Sequence, residues 1–151
     1  MDDTLLSIDD HLLKLRRAPT RPGYRRQLLE GLGDVTLPSL QAIRAVERAE
    51  AAGISASIRA VAADLQIEHS TASRTVAEAT RLGLLSRSAA AHDQRQAVLT
   101  VTEEGRKVSA RAAANRHALV EEALNGWDPD DISILNRLLG DLVTAMTRAS
   151  E

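Results

Sequence analysis

Between Ile58 and Val101 the apolar residues change their period once, and that change limits the fold more than any other feature of the chain. Ile58, Val61, Ala62 and Leu65 recur on one helical face, with Ser57 placed to cap it. After a short interruption at Gln66 and Ile67, a second helix is predicted from about 68 to 82, with Gly83 where a terminator belongs. Leu84, Leu85 and Ser86 then lead through 89–94 to Ala97-Val-Leu-Thr-Val101, which reads as two short strands and a hairpin. Val and Thr support the second strand, whereas the Ala run at 89–91 gives no turn signal and leaves the hairpin boundary loose. Helix, tight turn, helix, strand, hairpin, strand is the order of a winged helix-turn-helix.

Helices are predicted on both sides of this segment. Leu5, Ile8, Leu12 and Leu15 form one apolar stripe that ends before Pro19, Pro22 and Gly23, and residues 24–32 read as a short piece stopped by Gly33. Residues 37–52 read as a helix with Pro38 in its first turn. A long helix is expected from Thr102 to about Asn125. Asp128 and Pro129 then open a last one, whose stripe includes Ile132, Leu135, Leu138, Leu142 and Met146. With Trp127 and Tyr24 the only aromatics and Ala abundant, close helix packing and a mainly α fold are expected. The terminal helices carry more apolar surface than one winged unit would cover, which predicts an oligomer; a monomeric bundle is the alternative.

The predicted helix 68–82 divides cleanly. At 100° per residue, Ala72, Thr75, Val76 and Ala79 share one side, while Ser70, Arg74 and Arg81 share the other with Thr71 and Glu78 beside them. One side packs and the other is free to meet DNA, where the Arg74 guanidinium would pair with guanine O6 and N7 or grip a phosphate, and Ser70 and Thr71 would bond base edges or phosphates. His69 and Ser73 lie on the same stretch and Arg87 on the first strand, and these are further candidates for DNA contact. A merely solvated polar face is the competing reading of this helix.

Charge gives little help, because the net charge of −2 is distributed as zero over 1–56, +1 over 57–102 and −3 over 103–151. The absence of cysteine removes disulfides, thiolate metal sites and thiol switches, and a reducing cytoplasm is expected. The N-terminus MDDTLLSIDD carries acids where a secretory leader carries bases, and no run approaches the roughly 18 apolar residues of a membrane span. His11, His69, His92 and His117 lack metal-ligand spacing, so neither metal nor cofactor is expected. Nor is an enzyme: the pairs Asp2-Asp3, Asp9-Asp10, Glu103-Glu104 and Asp130-Asp131 are read as sitting near helix starts, where carboxylates favour the dipole, and Gly31 and Gly33 lack the preceding strand of a phosphate loop.

The runs SIRAVAADLQIEHSTASRTV, LGLLSR and DQRQAVLTVTEEG, in this order and spacing, resemble the MarR-type regulators, and NGWDPDDISILNRLLGDL looks like that family's final dimerisation helix. Asp93, Arg95, Leu99, Thr100, Thr102 and Gly105 carry the most specific part of the likeness. It implies a single domain over 1–151, with 1–36 and 103–151 as dimerisation helices and 37–102 as the winged DNA-binding region. It further implies a homodimer whose terminal helices interleave, each winged unit offering one helix to the major groove of a pseudo-palindromic duplex. Carried over by position, Ser70, Thr71 and Arg74 match the recognition residues, Arg95 the wing arginine and Asp93 the acid that orients it. Leu5, Leu12, Trp127, Leu135, Leu138 and Leu142 fall at the dimer interface.

This chain departs from the pattern at Gln94, often a second base in the wing motif, at Gln66, often a small residue or glycine, at Ala79, where the family usually has Leu, and at Leu82, where a polar residue is usual. The last two departures predict that the core contact slides by about a turn. The likeness also implies a repressor released by a small anionic or aromatic ligand. Among the six basic residues between Lys14 and Arg26, Arg16 and Arg17 are the candidates for holding it; a solvated or DNA-backbone-facing segment is the plainer reading. A winged-helix dimer that binds proteins and no DNA is the competing function.

Overall fold

The computed structural model describes residues 2–90 and 97–148. Seven α-helices and two strands follow in the order α1 (Asp3–Arg17), α2 (Pro22–Leu28), α3 (Leu37–Ala51), α4 (Ile58–Leu65), α5 (His69–Arg81), β1 (Leu85–Ala89), β2 (Ala97–Val101), α6 (Glu103–Ala123) and α7 (Pro129–Arg148), with a single 3-10 turn at Ala18–Thr20. The chain forms two compact units that meet at the Arg116–His117 boundary within α6. The helix expected over 24–32 starts earlier and ends at Leu28, because Pro22 supplies a preset first turn and the chain turns back through Gly31. Asp2 does cap α1, accepting from the Thr4 amide, but Asp9 and Asp10 lie mid-helix and not near a helix start, with Asp10 paired to Lys14.

In the first unit, α3, α4, α5 and the antiparallel β1–β2 pair enclose the core. Leu40, Ile43, Val46, Val61, Val76, Leu85 and Leu99 are among its largest fully enclosed side chains. Removing such a residue to Ala costs about 2–5 kcal/mol where the site cannot collapse. Ser39 is enclosed among them without penalty: its hydroxyl donates to the Thr36 carbonyl at 2.8 Å and accepts from the Thr36 amide at 3.0 Å, while Thr36 Oγ1 accepts from the Ser39 amide. This reciprocal cap starts α3. Ser57 caps α4 in the expected way, accepting from the Ala60 amide. The sheet gains a third, partial member because the Leu99 amide donates to the Ala56 carbonyl at 2.8 Å.

Three helices of this unit end alike. After α3 and α5, Gly53 and Gly83 take left-handed conformations while the next amides, of Ile54 and Leu84, reach back to Ala49 and Ala79. After α4 the same two-bond closure is made by Gln66, at φ 54° and ψ 46°, followed by the Ile67 amide on the Ala62 carbonyl and a half-buried Ile67 side chain. A residue with a Cβ carries about 1 kcal/mol of strain there. Gln66→Gly is therefore expected to raise stability by up to about 1 kcal/mol, less the extra entropy of glycine in the unfolded chain, and chemical denaturation measures it. A lower midpoint for that variant would contradict the strain account.

Ion pairs tie the helices on the outside. Arg48 on α3 holds Asp64 on α4 through Nε–Oδ1 at 3.0 Å and NH2–Oδ2 at 2.5 Å. This hydrogen-bonded guanidinium keeps the Asp64 carboxyl below the ordinary carboxylate range. Its stabilising contribution is present at neutral pH and fades as acid titrates that depressed group. Glu50 on α3 accepts from the Val101 amide and from Arg106, joining the end of β2 and the start of α6 to the same helix. Asn115 on α6 donates to the Leu28 and Glu30 carbonyls, pinning the turn after α2.

The second unit holds the remainder of α6 and α7. Its helices bury no residue fully, and Val120, Trp127, Ile134, Leu138 and Val143 stay exposed. Among the described residues no helix is long and apolar enough to cross a membrane.

Candidate nucleic-acid interface

α5 is the element on which the interface rests, and its two sides separate as the 100° spacing requires. Ala72, Thr75, Val76 and Ala79 are its buried residues. The Thr75 hydroxyl is satisfied within the helix by the Thr71 carbonyl at 3.0 Å, so a polar atom faces the core without cost. The contact does not slide by a turn: Ala79 is fully enclosed, and Leu82 is half-buried against the same core.

On the opposite side His69, Ser70, Thr71, Arg74 and Arg81 are exposed, with Ser73 half-buried on the flank. The helix begins at Glu68 without a side-chain cap, which leaves its first amides directed outward beside Ser70 and Thr71. Those donors and the positive end of the helix dipole suit a phosphate oxygen. Arg74 makes no hydrogen bond or ion pair among the described residues. Arg81 is different. Its Nε and NH2 reach the two Glu78 oxygens at 2.9 and 2.6 Å, a fork-on-fork pair within one turn. The Arg81 guanidinium holds the Glu78 carboxyl below its ordinary range, and Glu78 in turn raises the Arg81 pKa.

β1 and β2 run antiparallel with Leu85 opposite Val101 and Ala89 opposite Ala97. Leu85, Leu99 and Val101 anchor the base of this ribbon in the core, whereas β1 is exposed from Ser86 onward. Arg87 pairs with Leu99, one same-face pair outward from Leu85 and Val101, and remains in solvent. His92, Asp93, Gln94 and Arg95, on which the wing reading depends, lie outside the described residues.

One constellation escaped sequence reasoning, although two of its residues stood in the most specific motif. The Thr102 hydroxyl donates to the Gly83 carbonyl at 2.6 Å and accepts from the Gly105 amide at 3.0 Å, and the Thr102 amide donates to the Leu84 carbonyl at 3.1 Å. Gly105 lies so close to Leu84 that an added Cβ would stand 2.1 Å from its carbonyl oxygen. The Thr-x-x-Gly spacing thus welds the start of α6 to the turn that ends α5. Spacing signals only a helix start; the close approach is a property of the crossing.

Arg16 and Arg17 lie in the exposed last turn of α1, and a depression of about 440 Å³ beside them is walled by His11, Lys14, Leu15, Ala18 and Arg21. Of the residues expected at a dimer interface, Leu5, Trp127 and Leu138 are 60, 50 and 51% exposed, and Leu12, Leu135 and Leu142 are partly covered. No group of three His, Asp or Glu among the described residues is arranged to hold a metal ion.

Residues 33–96 match the sequence model of the MarR family. No curated protein matches the chain. Among solved structures, a MarR family protein from Bacillus stearothermophilus superposes with a TM-score of 0.80 at 18% identity, covering 97% of this chain and 99% of its own. A MarR family transcriptional regulator from Rhodococcus sp. RHA1 shares 25% identity over 91% of this chain and 94% of its own, with a TM-score of 0.64. FabT of Streptococcus pneumoniae, solved in complex with DNA, gives 0.62 at 18% identity, over 97% of this chain and 94% of its own.

Proposed function

We propose that this chain, whose residues 33–96 match the MarR family model and whose fold resembles solved members of that family, is a dimeric, sequence-specific DNA-binding transcriptional regulator without enzymatic activity, acting in the cytoplasm as a repressor that a small anionic or aromatic ligand releases. The observation that carries the DNA-binding part is the division of α5: four residues hold it to the core while Ser70, Thr71 and Arg74 stand together in solvent beside uncapped amides. That surface offers base-edge donors, a bidentate cation and a phosphate cradle within one and a half turns. FabT, a structural neighbour, is seen on DNA with this architecture. Arg87 and Arg95 on the wing would add contacts to the adjacent groove.

Dimerisation is supported by the apolar side chains that the terminal helices leave in water, Leu5, Trp127 and Leu138 among them. The ligand response rests on the family likeness and on the basic residues about the end of α1.

Selection of bound duplexes from a random pool tests the proposal. A symmetric dimer is expected to enrich a pseudo-palindrome whose half-sites lie about 10 to 10.5 base pairs apart, one helical turn. Purified protein that enriches nothing over random DNA at low salt overturns it and leaves the protein-interaction dimer.

A further inference from the structure

We infer that Glu78 restrains Arg81, and that this pair sets how strongly the protein prefers its operator to arbitrary DNA; the inference rests on the DNA-binding reading above. Specific contacts of a recognition helix come from its N-terminal part, near Ser70, Thr71 and Arg74. Arg81 is twelve residues beyond His69, roughly 18 Å along the helix, so it lies away from the base edges where it would meet only backbone. A free guanidinium there would attract any phosphate and add affinity without discrimination. Instead the Nε–NH2 edge of its guanidinium is occupied by the two oxygens of the Glu78 carboxylate, at 2.9 and 2.6 Å.

The pair is open to solvent, with the side chains 66 and 38% exposed, so it is available to any duplex that docks α5. Glu78 acts on an approaching phosphate in two ways, occupying the cation and presenting a like charge of its own. Asp34 adds a weaker attraction for Arg81. The Glu78 carboxyl, which the hydrogen-bonded Arg81 holds below its ordinary range, is ionised at neutral pH. The pair contributes little to folding, as exposed pairs do. Arg74, by contrast, has no carboxylate partner among the described residues. The helix thus carries one open cation where bases are read and one occupied cation where they are not.

Binding of full-length protein to a fluorescent random-sequence duplex and to the selected operator, measured across a salt series, tests this. Glu78→Gln keeps the shape and removes the charge. It is expected to tighten binding to the random duplex several-fold at low salt and to steepen the dependence of log K on log salt by about one unit per recognition helix. The operator-to-random ratio should fall. In an Arg81→Gln background the same change at Glu78 should alter the salt slope no further. An unchanged slope in Glu78→Gln, with wild-type protein binding DNA normally, overturns the inference alone. So does an equal effect of Glu78→Gln when Arg81 is already absent, since that would mark a general loss of negative charge. Wild-type protein that binds neither duplex overturns the DNA-binding reading and this inference with it.

Discussion

Gly105→Ala is expected to destabilise the protein by about 3 kcal/mol or more, a large share of the 5–15 kcal/mol that typically holds a domain together. The reason is local and geometric. The new methyl would stand 2.1 Å from the Leu84 carbonyl oxygen and 2.9 Å from Val101 Cγ1. Neither neighbour has room to yield. The Leu84 carbonyl already accepts from the Thr102 amide, and Leu84 and Val101 are both buried. Relief therefore requires α6 to lift from the α5–β1 turn, which breaks the Thr102 hydroxyl bridge to Gly83 as well. Urea denaturation followed by circular dichroism reads the effect as a shifted midpoint. Gly23→Ala, in α2 with nothing within 4 Å of its added Cβ, is the control and should not destabilise. A Gly105→Ala midpoint equal to that of wild type would show that the junction is looser than its geometry states.

What the sequence disclosed and what it withheld follow from the range of the interactions involved. The helix order and the buried side of α5 were legible because Ala72, Thr75, Val76 and Ala79 obey a period that needs no knowledge of the partner surface. The Ser57 cap was legible for the same reason. Asp9 and Asp10 were misplaced because every acid pair was read as a helix-start signal, whereas the cap of α1 is Asp2 and the helix runs on through the second pair. The close approach at Gly105 and the bridges made by Glu50 and Asn115 join positions far apart in the chain, and no local spacing marks them. Nor did composition reveal that Arg74 and Arg81 differ. Both are exposed arginines on one face, and only the side-chain geometry shows that a carboxylate three residues back occupies the second.

That difference decides which arginine should matter most for recognition. Arg74→Ala is expected to weaken operator binding by about 1 to 3 kcal/mol per half-site and to relax sequence preference at the base pair it meets, with folding unchanged. Folding is spared because the side chain is exposed and makes no hydrogen bond or ion pair among the described residues that an Ala would lose. Arg74→Lys keeps the charge but not the planar two-donor edge, so it should restore phosphate attraction without restoring discrimination. Two measurements separate these roles: operator affinity against single-base variants, and the salt dependence of each protein. If Arg74 reads a base, Arg74→Ala loses discrimination at one position while its salt slope changes little, and Arg74→Lys fails to recover it. If Arg74 grips a phosphate, all sequences weaken together, the slope falls by about one unit and Arg74→Lys recovers most of the loss. Wild-type affinity in Arg74→Ala would instead remove Arg74 from the DNA interface.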